Sequence, residues 1–289
     1  MPMKQIVTSL MVALCCIHSA CTAAGGVSPQ TSRQISEPLP STSFSQLLES
    51  QRVHYKAESL AQRKIIAAYG AIWAARGNLV LPDRVVFANQ TEVSLFQQKM
   101  RVGRAQIGKT TIELQEEALV ALLKARQDCL AKGCSLTPRG GASAARRDYV
   151  TTIHLWKSRV NPGLNFHVKQ KRITAQEAAR IQNLSIPDQI EEILKLEAQG
   201  LYFSKSLDKS ILYSVAPPGA SQHLALLAID IEEYENAQVR AILANHGWFQ
   251  TVISDLPHFT YLGLSEAELT ARGLKKEVNG GRVYWVPNW

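Results

Sequence analysis

Cysteine is scarce and unevenly placed: of five, Cys15, Cys16 and Cys21 crowd the N-terminus, and only Cys129 and Cys134 fall in the remaining chain. A disulfide-built scaffold is thereby excluded, and with no histidine near the second pair so is a zinc ribbon. Long apolar runs are lacking too. Residues 6–17 form one, too short to span a bilayer, and no comparable run follows. No internal repeat is present, which excludes a solenoid. Lysine and arginine outnumber acidic residues 32 to 24, yet they are scattered and no RNA- or DNA-binding signature accompanies them, so nucleic acid is not an expected partner.

What is present reads as an ordinary globular chain of 289 residues, 46% hydrophobic and 19% charged, whose formal charge of +8 suits work near anionic polymers. Lys4, the apolar run and the small residues from Ser19 to Ala24 follow the order of a secretory signal, predicted over residues 1–24. Cys21 offers the alternative of a lipid anchor. Cleavage near Ala24 is preferred, because His18 stands where lipoprotein signals carry an aliphatic residue. The Ser/Pro/Gln/Thr-rich residues 25–43 predict a flexible tether to a body spanning 44–289 in a bacterial envelope or periplasm. In such an oxidising compartment Cys129 and Cys134 are expected to bridge across the Lys132-Gly133 turn.

Within the body, Leu47, Leu48, Leu60, Ile65, Ile66, Tyr69 and Trp73 recur at helical spacing, predicting a helical N-terminal extension over 44–109. Val85, Val86 and Phe87 look strand-like, and Asn89-Gln90-Thr91 reads as a helix start. Thr110 and Glu113 have capping-box spacing, predicting a helix from Thr110 through Leu114, Leu119 and Leu122 to Gly133. Residues 135–139 read as a short strand, Ser143 as the cap of a helix carrying Arg146, Arg147, Tyr149 and Trp156, and Asn161-Pro162-Gly163 as a turn. Residues 174–200 predict a helical hairpin interrupted at Pro187. Helices first and strands later imply an α+β fold in which a small, mainly antiparallel sheet packs against helices.

The chemistry concentrates in residues 217–263. His223 and Asp230 are seven positions apart, about 23 Å if extended, so the chain must curl if they are to share an ion. A loop at Gly219 and a buried strand through Leu226, Leu227, Ala228, Ile229 and Ile231 would supply that curl. Downstream, Pro257 keeps Leu256 out of the helical region, giving a tight turn able to aim Asp255 and His258 into one cleft. Two imidazoles and one carboxylate would make a three-ligand zinc site with a coordination position left for water, and Asp255 is placed to serve as general base. Glu232 and Glu233 read instead as a helix start, and His246 as a cap or core histidine.

The order S-x-H-x(6)-D followed by D-x-x-H, here Ser221, His223, Asp230, Asp255 and His258, resembles the zinc D-Ala-D-Ala carboxypeptidases and their relatives among the lysostaphin, D-Ala-D-Ala and hedgehog-type metallopeptidases. The run Pro217-Pro218-Gly219-Ala220-Ser221-Gln222-His223 and Ala228 match the cell-wall carboxypeptidase branch. The resemblance implies one zinc held by His223, Asp230 and His258 within a catalytic core over 110–289, Asp255 as base, Ser221 as a substrate contact, and peptidoglycan stem peptides as substrate. Two positions depart from the pattern. Leu226 stands where the family has glycine, and Ala142 stands where the family's carboxylate-binding arginine lies, leaving Arg139, Arg146 and Arg147 as candidates for that task.

Overall fold

The structure, a computed structural model, describes residues 43–289; the expected signal, Cys21 and all but the end of the tether lie outside the described residues. The chain folds as α+β, with eight α-helices and seven strands among the described residues. Helices α1 (Phe44–Ser50) and α2 (Leu60–Tyr69) each start on a serine whose hydroxyl accepts an amide hydrogen of the first turn, and α2 runs on into a 3-10 turn, Gly70–Ala74. Helix α3 (Gln90–Gln97) is capped by Asn89, the helix start expected there.

Strands β1 (Val102–Ile107) and β2 (Thr110–Gln115) form an antiparallel hairpin ahead of α4 (Glu116–Ala131). This corrects the helix expected from Thr110. Residues 110–114 alternate outward and inward against β1, with Ile112 and Leu114 buried, and that pairing outweighs a local capping pattern. Helix α5 (Tyr149–Lys169) begins on Asp148 rather than Ser143 and continues through Pro162-Gly163 without a turn. Gly163 is needed there because a Cβ would lie 2.5 Å from the Phe203 ring. Helices α6 (Ala175–Gln182) and α7 (Ile186–Ala198) form the expected hairpin, with Pro187 in the first turn of α7, where its missing N–H costs nothing.

Strand β3 (Ala228–Asp230), helix α8 (Ala237–Asn245), strand β4 (Trp248–Phe249) and strand β5 (His258–Tyr261) follow, and the antiparallel hairpin β6 (Leu274–Asn279) with β7 (Arg282–Pro287) ends the chain. The central sheet has the order β3-β5-β4 and is wholly antiparallel. Two stretches expected as strands, around Val85 and around Leu136, make only isolated bridges, His54 with Arg84 and Pro138 with Ile231. One buried cluster runs from Phe44 to Trp285, so residues 44–109 share the core of the later chain. Phe87 N–H donates to the Gly219 carbonyl, and Arg76 N–H to that of Leu262. A Cβ on Gly219 would fall 2.1 Å from the Phe87 carbonyl oxygen, so this turn requires glycine.

Candidate metal centre

Two local devices bring the ligands together. The first is strand register: β3 and β5 pair Asp230 directly with His258, and residues opposite one another in an antiparallel pair present their side chains on the same face. The second is the turn that curls His223 back. Residues Gln222–Ala225 form a 3-10 turn, and Leu226 then takes φ 54° and ψ 32°, the left-handed region that favours glycine. Leu226 is one of the two positions at which the sequence departs from the pattern it resembles, and it adopts the glycine-like conformation all the same. Its neighbours fix it there. Gln97 Nε2 donates to the Leu224 carbonyl (2.9 Å), Gln115 Nε2 to that of Ala225 (2.8 Å), and the Gln115 amide to that of Leu226 (3.0 Å), while the Leu226 side chain is fully buried.

Three acceptor atoms meet as a result. His223 Nε2 and His258 Nδ1 stand 3.2 Å apart, and each lies 3.4 Å from Asp230 Oδ1. Ligand atoms held tetrahedrally at about 2.0–2.2 Å from a small cation stand about 3.3–3.6 Å apart, which this triangle matches closely. The opposite ring atoms are engaged elsewhere. His223 Nδ1 lies 2.9 Å from the Ala145 carbonyl and His258 Nε2 lies 2.8 Å from Gln222 Oε1, so both hydrogens point outward and both lone pairs point into the triangle. Asp230 Oδ1 is buried and has no hydrogen-bond partner among the described residues. Such an orphaned acceptor facing two nitrogen lone pairs wants a cation. The buried group His223, Asp230 and His258 can hold a metal ion.

Charge reinforces the geometry. Burial, then the Arg147 guanidinium, lowers His223 to about 4, which keeps it neutral and able to ligate at neutral pH. Burial alone would raise the Asp230 carboxyl, yet it lies well below the usual carboxylate range, because a proton entering the triad settles on a histidine facing it rather than on the carboxylate. Arg147 also donates to Asp230 Oδ2 at 2.5 Å, leaving Oδ1 for the ion. Asp255 differs from these three. It lies just after Ser254, another left-handed residue (φ 68°), and it makes no side-chain hydrogen bond among the described residues. Burial, and to a lesser degree the Asp230 charge, raises its pKa, while His258 and Arg147 oppose that rise.

The other expected site residues fall elsewhere. Arg139 is exposed, pairs with Glu232 at 3.3 Å and lies over the Tyr234 ring; only its backbone N–H reaches Asp230, donating to the carbonyl at 2.8 Å. Of the three candidate arginines it is Arg147 that reaches an Asp230 carboxylate oxygen, while Arg146 donates to Glu113 and Gln97. Ser221 is buried at the head of the 3-10 turn. Cys129 and Cys134 are free thiols, which corrects the expected bridge. The turn after α4 directs both the Cys134 amide (2.8 Å) and its Sγ (3.2 Å) onto the Cys129 carbonyl, and burial raises the Cys129 thiol to about 12.

Sequence reasoning missed Gln97, Gln115, Arg147's contact with Asp230, the Ala145 carbonyl and Gln222. Only Gln222, beside His223, lay where a signal could be sought. Compared with protein-family models, with characterised proteins and with solved structures, the chain matches none.

Proposed function

We propose that this chain is an exported zinc peptidase that hydrolyses peptidoglycan stem peptides, removing a terminal D-alanine. The observation that carries the reading is the triangle of His223 Nε2, His258 Nδ1 and Asp230 Oδ1, with an unbonded aspartate on the adjoining turn. Two imidazoles and one carboxylate are the protein ligands of a catalytic rather than a structural zinc site, and bound zinc lowers the pKa of water from about 15.7 to near 7. Asp255 supplies what the ligands lack, a carboxylate free to accept a proton, its pKa raised by burial. It takes the proton of the attacking water and returns it to the leaving amine. The motif from Ser221 to His258, similar to that of the D-Ala-D-Ala carboxypeptidases, supports stem peptides as the substrate class.

A cavity of about 420 Å³ lined by Glu113, Ser143, Arg146, Arg147 and Asp148 would receive the substrate's terminal carboxylate, in place of Arg139. A second reading, an endopeptidase cutting within the stem or cross-bridge, is favoured by a different fact: both cavity arginines already have carboxylate partners, Glu113 and Asp230. Incubating the purified protein with a pentapeptide ending in D-Ala-D-Ala and assaying free D-alanine decides between them. Release of D-alanine is expected. Internal cleavage would select the endopeptidase, and no cleavage by the zinc-loaded protein of either this peptide or cross-linked stem peptides would end the peptidase reading.

A further inference from the structure

We infer that Gln222 is a positioning residue: it selects the tautomer of His258 and, through Tyr69, makes the end of α2 part of the metal centre. The inference rests on His223, Asp230 and His258 being a metal site. Gln222 is 2% exposed, so each of its polar atoms needs a partner inside the protein. Its Nε2 donates to the Tyr69 carbonyl at 2.8 Å. A carbonyl can only accept, so the amide cannot be turned over, and Oε1 must face the sheet. There it accepts from Thr260 Oγ1 at 2.5 Å and lies 2.8 Å from His258 Nε2, with Thr251 Oγ1 at 3.4 Å.

An amide oxygen has no hydrogen to give, so His258 Nε2 must carry the ring proton, and Nδ1 is left bare toward His223 and Asp230. Without that acceptor the two neutral tautomers of His258 would compete, and the Nδ1–H form would point a hydrogen at the ion position. The chain logic is compact. One 3-10 turn delivers a ligand, His223, and in the preceding residue the group that orients the other histidine, 36 positions away. Tyr69 is itself held at both ends, since its hydroxyl donates to the Leu212 carbonyl at 2.7 Å. The Gln222 amide therefore has a fixed anchor, and a segment that carries no ligand still determines how one ligand is presented.

The test uses the full chain, with zinc affinity measured by competition against a chromophoric chelator and the His258 tautomer read from ¹⁵N shifts of the metal-free protein. Gln222→Met keeps the bulk and removes both polar atoms; it is expected to weaken zinc binding about 10- to 100-fold, the usual effect of losing a histidine's outer partner. Gln222→Glu keeps the acceptor toward His258 and is expected to restore most of that affinity, although it loses the donor toward Tyr69. Unchanged affinity in Gln222→Met overturns the inference, as does a loss in Gln222→Glu as large as that in Gln222→Met, which would mark a merely structural residue. Should neither variant fold, the unaltered protein still decides: an Nε2–H signal from His258 supports the assignment and an Nδ1–H signal overturns it. If the unaltered protein binds no zinc while His258 shows the Nε2–H form, it is the metal reading that fails.

Discussion

The ligand triad and the proposed base sit on adjoining segments of chain and are built in opposite ways. His223 and His258 are buried and each has its outer ring nitrogen within hydrogen-bond distance of a fixed oxygen, and Asp230 is held through Oδ2 by Arg147. Asp255 follows a strained residue and has no side-chain bond among the described residues. The contrast fits the two tasks proposed for these residues. A ligand must be neutral or ionised in one state and aimed in one direction, so outer partners that remove its freedom help it. A base must change protonation during each turnover, and partners that stabilise one state would slow the other.

The sharpest way to break the comparison is to exchange the consequences of removing each group. His258→Ala is expected to abolish both metal binding and hydrolysis, as seen by metal analysis and peptide assay. Asp255→Ala is expected to keep the metal and lose hydrolysis by about 10²- to 10⁴-fold. Loss of metal from the second variant would show that Asp255 is a ligand and not a base.

A smaller effect concerns acid. The unfolded chain protonates His223 near its ordinary pKa, about 6.5, but the folded metal-free protein does so only near 4. Between these values the unfolded state binds more protons at this residue, so the contribution of His223 to metal-free stability falls by about 3 kcal/mol as pH is lowered through that window. Thermal unfolding in chelator from pH 7 to pH 4, compared between the protein and its His223→Gln variant, measures this; the same profile in both would mean that His223 is not held neutral by burial. The smallest effects separate the arginines. Arg147→Met should weaken zinc binding by about tenfold by releasing Asp230. Arg139→Ala, at an exposed ion pair, should change stability by less than about 0.5 kcal/mol and leave zinc affinity as it was. Equal effects of the two on a zinc titration would remove Arg147 from the site.

These contrasts also explain which parts were legible in the sequence. The triad could be read because its chemistry depends on residue type and on short spacings, His223 to Asp230 and Asp255 to His258. The helical hairpin at Thr174 and Pro187 and the start of α3 at Asn89 were legible because caps act locally. Thr110 misled because its decisive partner is the facing strand, where it pairs with Ile107 across a hairpin that a capping pattern does not reveal. Pro162-Gly163 misled because Phe203, forty residues on, sets what that position must accommodate. Gln97, Gln115 and Tyr69 reach the site's turn from more than a hundred residues away, and no local pattern announces such contacts.

The Asp230–His258 register has one more consequence. Side chains alternate along a strand, so a slip of β5 by one position would set Phe259 opposite Asp230 and turn His258 to the other face. A chain paired that way has no ion site. Binding stabilises only the state that binds, by an amount that grows with the logarithm of free metal over its dissociation constant. An ion present while the sheet assembles would therefore act as a proofreader of strand alignment, stabilising the native pairing over its nearest competitor before any substrate is met.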